Sequence, residues 1–130
     1  VIPAQAFYGN RNIEEVDFHI GVKKVEGWAF ADCLYLRLII MLGVRVVERN
    51  AFMGCKALAI VECGKLERIV EGAFGGCKSL ESINLQSAKI IERYAFDGCE
   101  ALAKIKFSDK LESIGNGAFC RCKSLERITI

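Results

Sequence analysis

The sequence predicts an α/β solenoid of six coils, each 22–23 residues long and each built from a strand, a bend, a second short strand and a 3₁₀ or helical turn. Three observations predict it. An Ala-Phe dipeptide recurs at Ala6-Phe7, Ala29-Phe30, Ala51-Phe52, Ala73-Phe74, Ala95-Phe96 and Ala118-Phe119. Successive phenylalanines lie 23, 22, 22, 22 and 23 residues apart. Apolar residues keep fixed offsets on both sides of every phenylalanine. Self-similarity at this period signals a stack whose coils bury their apolar faces only against one another. No Ser/Gly/Pro-rich linker interrupts the 130 residues, so one domain spans 1–130.

The main strand follows each phenylalanine. Nine residues on stand Val16, Ile39, Val61, Ile83, Ile105 and Ile128, and eleven on stand Phe18, Met41, Cys63, Leu85, Phe107 and Ile130. These alternate with more variable residues, the period-two pattern of a strand with one buried face. The second strand precedes each phenylalanine. Five residues before it stand Ile2, Val25, Val47, Ile69, Ile91 and Ile114, and eight before it Val22, Val44, Leu66, Ala88 and Leu111. Between the two lies a compact stretch such as Glu71-Gly72-Ala73-Phe74-Gly75-Gly76, which suits a single helical or 3₁₀ turn. Stacked coils set like strands side by side, parallel, at roughly 4.8 Å spacing.

Three residues after phenylalanine come Asn10, Cys33, Cys55, Cys77, Cys99 and Cys122, and six after it Ile13, Leu36, Leu58, Leu80, Leu102 and Leu125. With these residues the chain resembles the cysteine-containing leucine-rich repeats of the BspA, or Treponema, type. Their pattern reads here as Cys77-Lys78-Ser79-Leu80-Glu81-Ser82-Ile83-Asn84-Leu85 and again as Cys122-Lys123-Ser124-Leu125-Glu126-Arg127-Ile128-Thr129-Ile130. The resemblance covers essentially the whole chain. It departs at Asp32 and Arg121, which replace a turn glycine, at Ala88, and at Cys63 in a strand. It implies a right-handed, curved leucine-rich-repeat superhelix with parallel strands on its concave face, binding partners there, with no cofactor and no shared catalytic residues.

Seven cysteines raise the question of disulfides or zinc. Five of them hold one place in successive coils, so register explains their spacing without redox chemistry. A free thiol packs well as a small buried group and can donate to a backbone carbonyl, with Asn10 doing the same through its amide. Neighbouring thiols in such a row would point in parallel, against the torsion a disulfide needs. Cys120-x-Cys122 is the one close pair, and its gap is too short for the common zinc spacing. The odd count favours a reducing compartment, with a cell surface as the alternative.

Little else suggests chemistry. The single histidine, His19, has no nucleophile motif beside it. Gly72, Gly75 and Gly76 belong to the repeated turn and not to a phosphate loop. Glu26, Glu48 and Glu92 recur four residues before phenylalanine, as a solvated row. The reading is a non-enzymatic module without cofactor or metal. A net charge of +2 gives no drive toward nucleic acid. The longest apolar stretch, Leu34 to Val47, is broken by Arg37 and Arg45 and is shorter than the roughly 20 apolar residues that span a bilayer.

Binding is expected on the outward strand residues. Coil one offers Glu15, Asp17 and His19, and coil two Leu38, Ile40 and Leu42. Coil three offers Ile60, Glu62 and Gly64, and coil four Ser82, Asn84 and Gln86. Coils five and six follow with Lys104, Lys106, Ser108, Arg127 and Thr129. The face runs from acidic through aliphatic and neutral to basic. The aliphatic patch of coil two reads as a protein-interaction site, the alternative being a coil that has drifted or is covered by a neighbouring segment. Three cations without interleaved aromatics make a poor nucleic-acid footprint. Trp28 and Tyr94, two residues before phenylalanine, read as packing on the rim first and as binding residues second. Val1 begins and Ile130 ends partway through a coil without a polar cap, which predicts a longer array or end-to-end self-association.

Overall fold

The computed structural model describes all 130 residues and shows a stack of parallel coils with ten short strands. After each phenylalanine but one runs a three-residue strand: β1 (Glu15–Asp17), β3 (Leu38–Ile40), β5 (Ile60–Glu62), β8 (Lys104–Lys106) and β10 (Arg127–Thr129). Before five of the phenylalanines runs a two-residue strand: β2 (Lys24–Val25), β4 (Val46–Val47), β6 (Arg68–Ile69), β7 (Ile90–Ile91) and β9 (Ser113–Ile114). Every pair is parallel and advances by one repeat, as Val16 opposite Ile39 and Val47 opposite Ile69. The short strands form one five-stranded sheet, β2-β4-β6-β7-β9, with Ile2 bridging to Val25 at its edge.

The core fills the space between the two strand rows. Alternation places Ile39, Val61 and Ile105 inward, and Val25, Val47, Ile69 and Ile91 meet them from the other side. Between the rows the phenylalanines form a column. Phe7, Phe30, Phe52, Phe74, Phe96 and Phe119 stack with centroids 5.1, 5.4, 5.3, 5.3 and 5.2 Å apart. From Phe30 onward neighbouring rings are within 9° of parallel, the offset stack that aromatic quadrupoles prefer. Repetition of one residue at one spacing is what makes a continuous column available.

Two expectations are corrected. The Ala-Phe turn is not helical, so the solenoid is all-β and not α/β. Its N–H groups alternate in destination. Those of Ala29, Ala31 and Cys33 donate three residues back, to Glu26, Trp28 and Phe30, while those of Trp28, Phe30 and Asp32 donate to Arg49, Ala51 and Met53 of the next coil. A helix would send all six backwards along its own turn. The alternation requires left-handed backbone two residues before and two residues after each phenylalanine. Glycine supplies it at Gly72 and Gly76 (φ +67° and +72°), but Trp28, Asp32, Tyr94 and Arg121 adopt it too, at φ 56–60°.

The second correction concerns coil four. Ser82–Asn84 is not a strand, and no backbone hydrogen bond joins residues 82–85 to either neighbouring coil. The row of longer strands is thereby split into β1-β3-β5 and β8-β10. Asn84 gives the physical reason: its Oδ1 accepts the N–H of Gln86 at 2.9 Å, a local turn that competes with the ladder. Along this row, side chains hold coil four to coil three instead. Ser79 Oγ donates to Lys56 O at 2.7 Å, and Ser87 Oγ to Gly64 O at 2.9 Å.

Candidate functional site

The strand pleat turns alternate residues outward, and the expected binding residues lie on that outer side. Glu15 and Asp17 are exposed on β1, where the Arg37 guanidinium pairs with Glu15 and approaches Glu14 at 3.9 Å. The aliphatic patch is less open than the sequence suggested. Leu38 and Ile40 are half-buried, while Leu42 and Ile60 are 48% and 52% exposed. Glu62 is exposed beside Ile60. Asn84 is exposed too, but off the sheet. Lys104, Lys106 and Arg127 project from β8 and β10.

These basic residues line a groove of 790 Å³ over coils four to six, together with Asn84, Gln86, Ser108 and Thr129. Its apolar floor is Ile83, Leu85, Ile105 and Phe107. Lys104 and Arg127 are direct register partners across the sheet, and neither they nor Lys106 lie within ion-pair distance of a carboxylate. Elsewhere, several ion pairs join opposite charges of successive coils. Arg45 meets Glu67 at 3.0 Å, and Glu71 sits between Arg49 and Arg93 at 3.3 and 3.4 Å. Arg121 makes a two-pronged contact with Asp97, at 3.0 and 2.7 Å, and this hydrogen-bonded carboxylate raises its pKa.

The cysteine row lies inside. The Sγ of Cys33, Cys55, Cys77, Cys99 and Cys122 donates to the carbonyl of Phe7, Phe30, Phe52, Phe74 and Phe96 respectively, at 3.0–3.2 Å. No disulfide joins them. Asn10 behaves differently from what was expected of it: instead of donating to a carbonyl, its Oδ1 accepts the N–H groups of Asn12 and Ile13 at 2.8 and 2.9 Å. Burial pushes the thiol pKa of each of these cysteines up, and that of Cys63 to about 11. Cys120 alone is exposed. His19 is exposed and its Nδ1 accepts the N–H of Gly21 at 2.9 Å. No three His, Cys, Asp or Glu side chains gather as metal ligands, and no helix is long and apolar enough to cross a membrane.

A profile of the BspA-type leucine-rich repeat region matches residues 45–130 in six copies, about two thirds of the chain. The chain belongs to the BspA-type leucine-rich repeat family. Solved leucine-rich repeat structures agree. A leucine-rich cell surface protein from Faecalibacterium prausnitzii is 32% identical, with a TM-score of 0.83 over 92% of this chain and 32% of its own. A leucine-rich repeat protein from Bacteroides ovatus is 30% identical, with a TM-score of 0.85 over 96% and 33%. The leucine-rich repeat protein of Treponema pallidum is 26% identical, with a TM-score of 0.82 over 89% and 58%. The repeats described here thus span about a third of the length of the first two. Curated protein sequences give no match.

The leucine-rich repeat pattern, read from sequence, located the outward residues but not the groove. The cations at its border, Lys104, Lys106 and Arg127, were legible one by one, and the recess between them was not.

Proposed function

We propose that this chain is a recognition module that binds a protein partner through the outer face of its longer strands. The observation that carries this reading is the aliphatic surface of Leu38, Ile40, Leu42 and Ile60, flanked by exposed Glu15, Asp17 and Glu62 on strands that the fold holds rigidly in register. Apolar surface rimmed by charge is the composition of a contact site. Repeat stacking fixes that surface before binding, which lowers the ordering cost of association. Curvature of the stack would make the same surface concave and enlarge the contact.

Capture from native lysate by the intact chain and by an Ile40→Glu variant tests this, once both are shown to melt alike. A partner held by the first and lost by the second supports the reading. Identical captures refute it for coil two.

A second reading places the same face outside a cell, as an adhesin repeat for a host protein or glycan. It is favoured by the Faecalibacterium relative, which is a cell surface protein. Under that reading the seven unpaired thiols must persist in an oxidising setting, which burial of five of them permits. Removing surface proteins from intact cells with protease, followed by immunoblotting, separates the two locations. A reading as a spacer without a ligand is what remains if neither experiment finds a partner.

A further inference from the structure

We propose that the groove over coils four to six binds an extended acidic peptide segment, with Lys104, Lys106 and Arg127 as its anchors. The inference rests on the strand-face reading but concerns the end of the face opposite the aliphatic patch. Four observations carry it. Lys104 and Arg127 are juxtaposed in register although like charges directly across a sheet repel, so an anion set between them would relieve both. None of the three cations has a carboxylate within ion-pair distance, so all three are available to a ligand. The three border a recess of 790 Å³, lined also by amides and hydroxyls that suit a peptide backbone. Only one carboxylate, Asp109, joins the lining.

The spacing selects an extended peptide. Lys104 and Lys106 leave the same face of β8 two residues apart, about 6.6 Å along the strand. Carboxylates on alternate residues of an extended segment have the same period, and Arg127 reaches across from the neighbouring strand. An anionic polysaccharide would present similar charge. The groove, however, has no exposed aromatic ring on which a sugar could stack, since Phe107 is buried in its floor.

Fluorescence anisotropy with a labelled ten-residue peptide of alternating glutamate and serine tests the proposal, with a glutamine–serine peptide as control. The expected result is at least tenfold tighter binding of the acidic peptide, weakening as salt rises. Lys104→Glu combined with Arg127→Glu should remove that preference, while Arg68→Glu on the five-stranded sheet should leave it within twofold. Circular dichroism melting of each variant checks that it is folded; if the double variant is not, Lys104→Gln alone serves, with a loss of threefold or more expected. Equal affinity for both peptides, or an equal loss in Arg68→Glu, overturns the proposal. Tighter binding of a sulfated oligosaccharide than of the peptide overturns the assignment to peptide. Ile40→Glu should not change peptide affinity. Failure of the groove therefore stays distinct from failure of the coil-two reading, which the lysate capture decides.

Discussion

The Sγ of Cys77 lies 3.2 Å from the carbonyl oxygen of Phe52, and that same oxygen accepts the N–H of Cys55 at 3.2 Å. One acceptor thus closes its own coil's turn and fastens the next coil to it. Cys55 does the same at Phe30, beside the N–H of Cys33. Each of these thiols is engaged along the stack, and those of Cys55, Cys77 and Cys99 are buried away from water. Titration of the native protein with an aromatic disulfide should therefore show one fast thiol, Cys120, and a slower one, Cys122. The five buried ones should react only on unfolding. Fast reaction of three or more thiols would contradict the row's burial.

Burial also makes stability depend on pH in a stated direction. The folded chain holds Cys55, Cys63, Cys77 and Cys99 as neutral thiols with raised pKa, Cys63 up to about 11. In the unfolded chain they ionise near the ordinary value of about 8.5. Above that pH the unfolded state sheds protons that the folded state keeps, so stability is full below it and falls as pH rises toward 11. The melting temperature should decline from pH 8.5 to 10.5, and less steeply in Cys77→Ala. Parallel declines in the two proteins would assign the effect to other groups.

The phenylalanine column predicts a graded series. Phe74 is fully buried between Phe52 and Phe96, so Phe74→Ala should cost about 3–5 kcal/mol in chemical denaturation. Phe119 is only partly buried and has one column neighbour, Phe96, with Phe107 edge-on at 5.8 Å. Phe119→Ala should cost clearly less. Equal costs would mean that neither the deeper burial of Phe74 nor its second ring neighbour adds to stability.

Tyr94 and Gly117 should be coupled. Tyr94 holds φ at +57°, and its ring lies 2.5 Å from where a side-chain carbon on Gly117 would stand. Gly117→Ala meets both that ring and the cost of a left-handed alanine, about 1–2 kcal/mol. Replacing Tyr94 with glycine first should remove the ring's share, leaving a coupling of about 1 kcal/mol in a double-mutant cycle. Strict additivity would show that the ring moves aside freely.

Asn84→Val should mend the split strand row. It deletes the acceptor that holds Gln86 N–H and adds a β-branched residue suited to a pleated surface. Amide exchange at residues 82–85 should slow and the melting temperature should rise. Unchanged exchange there would locate the cause of the break elsewhere.

The register, the column and the cysteine row were legible because each follows from one residue type recurring at one offset. The alternating turn was less so. Its mark was glycine both two before and two after phenylalanine, as at Gly72 and Gly76, but Trp28, Asn50 and Tyr94 masked it by adopting the same left-handed backbone. The break in coil four was written in Ser82 and Asn84, both poor strand formers, yet Ile83 and Leu85 preserve the period-two pattern and hide it. Charge positions on the outer face could be assigned residue by residue. The groove could not, because a volume depends on how two coils sit together.

The split in the longer-strand row faces an unbroken spine: the five-stranded sheet and the aromatic column both run through coil four without interruption. Such a stack is compliant in one direction and stiff in the other. A load that pries open the outer face meets no backbone bond to rupture on either side of residues 82–85. The opposite load must stretch β6 from β7 and unstack Phe74 from Phe96. In a tethered array, tension would therefore be relieved at this coil first, widening the basic end of the face while the aliphatic end keeps its shape.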